Sequence, residues 1–326
     1  MRRGRFTAVC ALVAATAAAQ QPTPPPDLQP PDLSLGGLDK GGPQAGRRAS
    51  IAEALKVRDY GRAETLLLEA IQQEPQASDL LRLLGGVFFV TGRHLNAAIA
   101  FKKAEAIAPL DERSRFTLVM AYVVLGRRDW ARPELAKLVA AAPRNPLYVY
   151  WTARLDYDDG QYQAAIRGFE RALALDRGFL KAYDNLGLSY EALGQHDEAI
   201  RSYEEAVRLN REQAKPSPWP PLNLGLLLTR LDRGPEAEAL FRESIRCDER
   251  FPQAHYQLGQ VLEKRGRTAE AVVELEAASR LDPAYPEPQY ALSRLYRRAG
   301  DQQKADRALG LFQKLKKEKG QTGAGR

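Results

Sequence analysis

Eight alanines recur in register along the chain: Ala63, Ala97, Ala131, Ala165, Ala199, Ala237, Ala271 and Ala305. Each step is 34 residues, except Ala199 to Ala237, which is 38. A fixed period of this length means a repeat array, in which each unit can bury its apolar face only against its neighbours. The same period narrows function, because such arrays bind other molecules while the period does not say which.

Other columns keep the register. Twelve residues before each alanine stands a small or slim residue: Ile51, Gly85, Val119, Ala153, Gly187, Gly225, Gly259 and Ser293. Four residues after it comes a bulky one: Leu67, Phe101, Leu135, Phe169, Tyr203, Phe241, Leu275 and Leu309. Three further on the column is mostly small again, as at Ala70, Ala104, Ala172, Ala206 and Ala278. Spacings of three, four and seven mark one face of a helix. A small residue lets two helices approach, and a ring on the partner fills the gap. Each unit therefore reads as helix, tight turn, helix. Gly92, Gly126, Gly160, Gly194, Gly266 and Gly300 stand where a left-handed C-cap is expected. Pro75, Pro109, Pro143 and Pro283 end second helices.

This pattern resembles the tetratricopeptide repeat family, over roughly residues 44 to 319. The stretch LGLSYEALGQHDEAIRSYEEA (Leu186 to Ala206) carries the resemblance most fully, with Leu84 to Pro109 and Leu258 to Pro283 close behind. The fold expected is an all-α, right-handed superhelical solenoid of about eight helix pairs, with units starting near 44, 78, 112, 146, 180, 218, 252 and 286. Asp156 falls where the fourth unit should carry an aromatic, which leaves the phase of LYVYWTARLDYDDG open by one residue.

The termini differ from the array. MRRGRFTAVCALVAATAAAQQP has a basic start, an apolar run from Phe6 to Ala18 and an A-x-A-like site at Ala17 to Ala19. These are the features of a secretory signal peptide over residues 1–19, so the chain is expected to be secreted or periplasmic. Cleavage would remove three arginines and no acid, lowering the net charge from +7 to +4. Residues 20–47 are dominated by proline and glycine without helical period and read as a disordered tether. Residues 320–326 read as a disordered tail. REQAKPSPWPPLN holds the four extra residues between the fifth and sixth units and is expected to loosen that boundary. Cys247, alone once Cys10 has left with the leader, shares a column with Leu209 and Leu281 and is expected in the core.

No enzyme chemistry is visible. His94, His196 and His255 fall in different repeats, and no His, Cys or carboxylate spacing suits a metal. There is no G-x-S-x-G, no phosphate loop and no dinucleotide fingerprint. The expectation is therefore no catalysis, no cofactor and no metal. The basic run of Lys314 to Lys319 reads as a solvated helix rather than a nucleic-acid patch. Beyond the leader, no window is long and apolar enough to span a membrane.

The resemblance implies that first helices line a concave face that takes a protein or peptide partner. Transferred to this chain, that face has Phe89, Phe116, Met120, Tyr150, Trp151 and Tyr157, then Asn185, Leu188, Asn223 and Leu226. It continues with Tyr256, Gln260, Glu263, Tyr290, Arg294 and Arg297. Trp219, in the inserted stretch, joins the candidates. Rings on a first helix also serve as packing against the adjacent second helix. Asn185 and Asn223 share one column, and an amide can pair with both groups of a peptide backbone; a structural bond to the next helix is the other reading. Lys181 is present, but Asp184 and Leu188 disfavour a carboxylate clamp. The function expected is a non-catalytic scaffold binding a polypeptide. The alternatives are a glycan-binding or structural envelope module, or a non-catalytic subunit of an envelope enzyme or export complex.

Overall fold

A computed structural model describes residues 45–323, which form sixteen α-helices and, among the described residues, no strand. The helices come in pairs: α1 (Ala45–Lys56) with α2 (Tyr60–Gln73), α3 (Ser78–Val90) with α4 (His94–Ile107), and α5 (Glu112–Val124) with α6 (Arg128–Ala141). Then follow α7 (Pro146–Asp158) with α8 (Tyr162–Leu175), α9 (Leu180–Ala192) with α10 (His196–Arg211), and α11 (Trp219–Arg230) with α12 (Gly234–Cys247). The last are α13 (Pro252–Lys264) with α14 (Thr268–Leu281) and α15 (Pro286–Arg298) with α16 (Gln302–Gly323). The described residues divide into two compact units, one ending at Leu138 and the other starting at Val139. The expected leader and most of the expected tether lie outside the described residues. α1 begins inside the stretch read as tether, and α16 runs past the boundary expected at 319.

The helix pair is built on the alanine column. All eight alanines are completely buried, and the bulky column packs over the small one. A Cβ added at Gly85 would stand 3.0 Å from the Phe101 ring, at Gly225 2.6 Å from Phe241, and at Gly259 2.7 Å from Leu275. The fourth pair inverts the arrangement. Ala153 replaces the first-helix glycine, and Gly168 appears on the second helix, where a Cβ would meet that of Ala153 at 2.5 Å. Ala153 is fully buried, so α7 sits in phase with the other first helices despite Asp156.

Six of the eight intra-pair turns use the predicted glycines, with φ between +68° and +81°. The first and sixth use Arg58 (φ +58°) and Asp232 (φ +61°) instead. Non-glycine residues are disfavoured there because Cβ crowds the following carbonyl. The second helices stop just before the proline column, at Gln73, Ile107, Ala141 and Leu281.

The four extra residues after α10 are anchored where they rejoin the array. Asn210 is completely buried; its amide donates to the Ser217 carbonyl and accepts from the Ser217 N–H, both at 2.8 Å. The Ser244 hydroxyl donates to the Pro218 carbonyl at 2.8 Å. Cys247 departs from its expected core position. It is only partly buried and lines a cleft with Asn210, Arg211, Pro216, Glu243 and Arg246. Leu281 of the same column is likewise only partly buried, and the burial that Cys247 has pushes its thiol pKa up.

Candidate functional site

In the second unit, the first helices α7, α9, α11, α13 and α15 repeat one position that reaches solvent, partly at four of them and fully at α15. Arg154, Leu188, Leu226, Gln260 and Arg294 stand there, each 34 residues from the last apart from the 38-residue step, and none is buried. Residues flanking this column, such as Ala153, Gly187, Gly225, Gly259 and Ser293, are buried against second helices. The column thus reaches solvent between positions that pack.

Polar side chains tie the middle of this face together. The Arg154 guanidinium donates to Asn185 Oδ1 at 2.7 Å and to Asp158 at 3.0 Å. Asn185 Nδ2 donates to the Lys181 carbonyl at 2.8 Å and to the Tyr150 hydroxyl at 3.2 Å. Asn185 is therefore engaged on both sides of its amide, partly across to α7, which is the structural arrangement. Asn223 differs: Nδ2 donates to both carboxylate oxygens of Asp184, at 3.0 and 3.1 Å. Burial pushes the Asp184 pKa up to about 6, against the pull of Asn223 and the Arg154 charge.

The aromatic candidates divide by burial. Phe89 and Tyr150 are each 6 % exposed, so their rings are core rather than contact surface. Phe89 meets His94 edge-on at 5.1 Å. Tyr150 is wedged among Trp151, Phe169 and Phe179, with centroids 4.9–5.6 Å apart. Such packing fixes rings in place at the expense of access. Phe116, Trp151, Trp219 and Tyr256 are partly exposed. Trp219 stands edge-on to Phe251 at 4.9 Å, and Tyr256 to Tyr285 at 5.3 Å. Arg294 is exposed, donates to Glu263 at 3.0 Å and lies over the ring of Tyr290, itself 47 % exposed.

Arg154 and the Asp184–Asn223 contact escape sequence reasoning. Their signal is the pairing of an acid with an asparagine in adjacent columns of successive repeats, Asp184 and Asn223, which reads as two unrelated surface residues until the helices are stacked. No group of three or more His, Cys, Asp or Glu among the described residues is arranged to hold a metal ion. No described helix is long and apolar enough to cross a membrane.

The sequence model of the tetratricopeptide repeat matches residues 52–112, 116–178 and 222–287, and a second model of that repeat matches 180–213. No curated protein matches the chain significantly. Among solved structures, a tetratricopeptide repeat protein from Parabacteroides merdae is 15% identical with a TM-score of 0.62, covering 82% of this chain and 98% of that one. Yeast Tom70 is 18% identical with a TM-score of 0.61, covering 87% and 62%. The hetero-tetramer Cut9–Hcn1 of the APC/C is 14% identical with a TM-score of 0.59, covering 80% and 50%. At these identities the likeness is one of fold.

Proposed function

We propose that this chain, which belongs to the tetratricopeptide repeat family, is a non-catalytic scaffold that holds a partner polypeptide on the first-helix face of its second unit. Proteins of this family act as protein-binding scaffolds. The observation that carries the reading is the solvent-reaching column Arg154, Leu188, Leu226, Gln260 and Arg294, in which partly exposed apolar side chains lie between cationic ends. An extended peptide laid across successive first helices would meet one such position per repeat. Leucines would cover its apolar side chains, and polar positions would fix its register.

The place of action we propose is the cell envelope or the exterior, on the strength of the basic, apolar and small-residue pattern of residues 1–19. N-terminal sequencing of the native protein should find Gln20 first; an intact Met1 in a cytosolic fraction would refute export. For the scaffold itself, the test is capture from an envelope extract by the wild-type chain and by a Leu188→Arg, Leu226→Arg variant. Both side chains are partly exposed, so the variant should fold. Loss of a partner that the wild type retains supports the reading, whereas equal capture by both contradicts it.

A further inference from the structure

Asp184 and Asn223 stand side by side on α9 and α11 with acceptor capacity that the protein does not use. Asn223 is 4 % exposed. Its nitrogen is spent on the Asp184 carboxylate, and its carbonyl oxygen finds no donor among the described residues. The opposite amide orientation would set Oδ1 against an ionised carboxylate, acceptor to acceptor, so the carbonyl is the half turned away from Asp184. Asp184 has no lysine or arginine within ion-pair distance among the described residues. Arg154 acts on it only through space, since its guanidinium is committed to Asn185 and Asp158. Asp184 is only partly buried, so this uncompensated carboxylate and the amide oxygen beside it stand open to an incoming donor.

The missing complement is a group with several N–H donors and a positive charge. An ammonium offers three donors and a guanidinium five. A carboxylate or phosphate would face like charge. Leu188, one turn on from Asp184, and Leu226, one turn on from Asn223, are both partly exposed and offer apolar wall for the methylene stem of a long basic side chain. We propose that Asp184 and Asn223 receive a lysine or arginine side chain of the polypeptide held on the first-helix face. This rests on the scaffold reading above and adds the residue class that the scaffold selects.

The probe is a displayed library of random dodecapeptides selected on the immobilised full chain. Wild type should enrich peptides that share a lysine or arginine at one position. A synthetic peptide from that pool should lose about tenfold or more in affinity when the basic residue becomes glutamine. Asp184→Asn keeps a polar group opposite Asn223 and removes the charge. Its melting should be no lower than wild type, and its selected peptides should lose the basic consensus. Peptides enriched without a shared basic residue, or the same consensus on Asp184→Asn, would overturn the inference and leave the scaffold intact. Enrichment of no peptide at all would overturn both.

Discussion

Gly187 of α9 lies so close beneath the ring of Tyr203 in α10 that a Cβ at 187 would stand 2.6 Å from two ring carbons. The ring is fully buried and has no room to retreat, so the contact sets the distance between the two helices of the fifth pair. Gly187→Ala should cost about 1–3 kcal/mol through overpacking, although alanine is the better helix former. Ala199→Leu, at the fully buried alanine of the same pair, should cost a similar amount. Thermal melting checks both. An unchanged midpoint in either would mean that the pair does not pack as described.

The left-handed turns predict the opposite sign. Arg58 and Asp232 occupy the column in which six other pairs carry glycine. Arg58→Gly should stabilise by about 0.5–1 kcal/mol, because relief at positive φ outweighs the added freedom of the unfolded chain. Asp232→Gly should gain less, because it also gives up the bond from Lys264 at 2.5 Å. Denaturant midpoints of the two variants should rise in that order, and a fall for Arg58→Gly would refute the strain.

These cases show which parts of the molecule the sequence discloses. The helix pairs and their start points follow from the 34-residue period, because every unit repeats the same small-over-large contact. The exchange of Ala153 with Gly168 is not legible, since it takes two compensating changes to a column that still looks small. The candidate face is only half legible. A first-helix ring such as Tyr150 carries the same sequence signal whether it faces solvent or, as here, three other rings. The pairing of Asp184 with Asn223 depends on how α9 and α11 stack, which the insertion between them hides.

Acidity should act on the two units through different groups. In the first, Glu134 is 5 % exposed and takes Lys102 at 3.2 Å and Lys137 at 3.0 Å, with Arg115 also against it. Burial alone would raise its neighbour Glu105, but Lys102 and Arg115 hold that carboxyl at about 2. A depressed acid gives stability that is full above its unfolded value near 4.5 and lost as pH falls toward 2. In the second unit, His255 meets Glu274 at 2.7 Å and the Glu249 carbonyl at 3.0 Å, acceptors on both ring nitrogens. Only the imidazolium donates to both, and its pKa is raised accordingly, against burial. That contribution is full below about 6.5 and lost as pH rises through the raised value. His255→Gln should therefore destabilise at pH 5 more than at pH 9, and an equal loss at both would contradict the charged link.

Asp184 gives a third pH signature. Its folded value of about 6 lies above the ordinary 3.8, so the fold favours the neutral acid. That preference contributes fully below 3.8 and vanishes as pH rises through about 6. Asp184→Asn, permanently neutral, should match wild type near pH 4 and exceed it by about 1–3 kcal/mol at pH 8. Melting at the two pH values separates this from a general effect, which would appear at both.

The two asparagines should part company. Asn185→Ala removes bonds to Arg154, Tyr150 and Lys181 and should cost about 1–3 kcal/mol of stability. Asn223→Ala removes one shared donor and should weaken selected peptides more than it lowers melting. Equal loss of stability in both, with normal binding when folded, would make the column structural throughout.

Site-specific photo-crosslinking tests the scaffold claim most directly. A photoreactive residue placed at Leu226, in the partly exposed first-helix column, should join covalently to a partner polypeptide in an envelope extract. The same residue at Val273, which is 59 % exposed on a second helix, should not. Crosslinks from Val273 but none from Leu226 would put the partner on the other face and contradict the account.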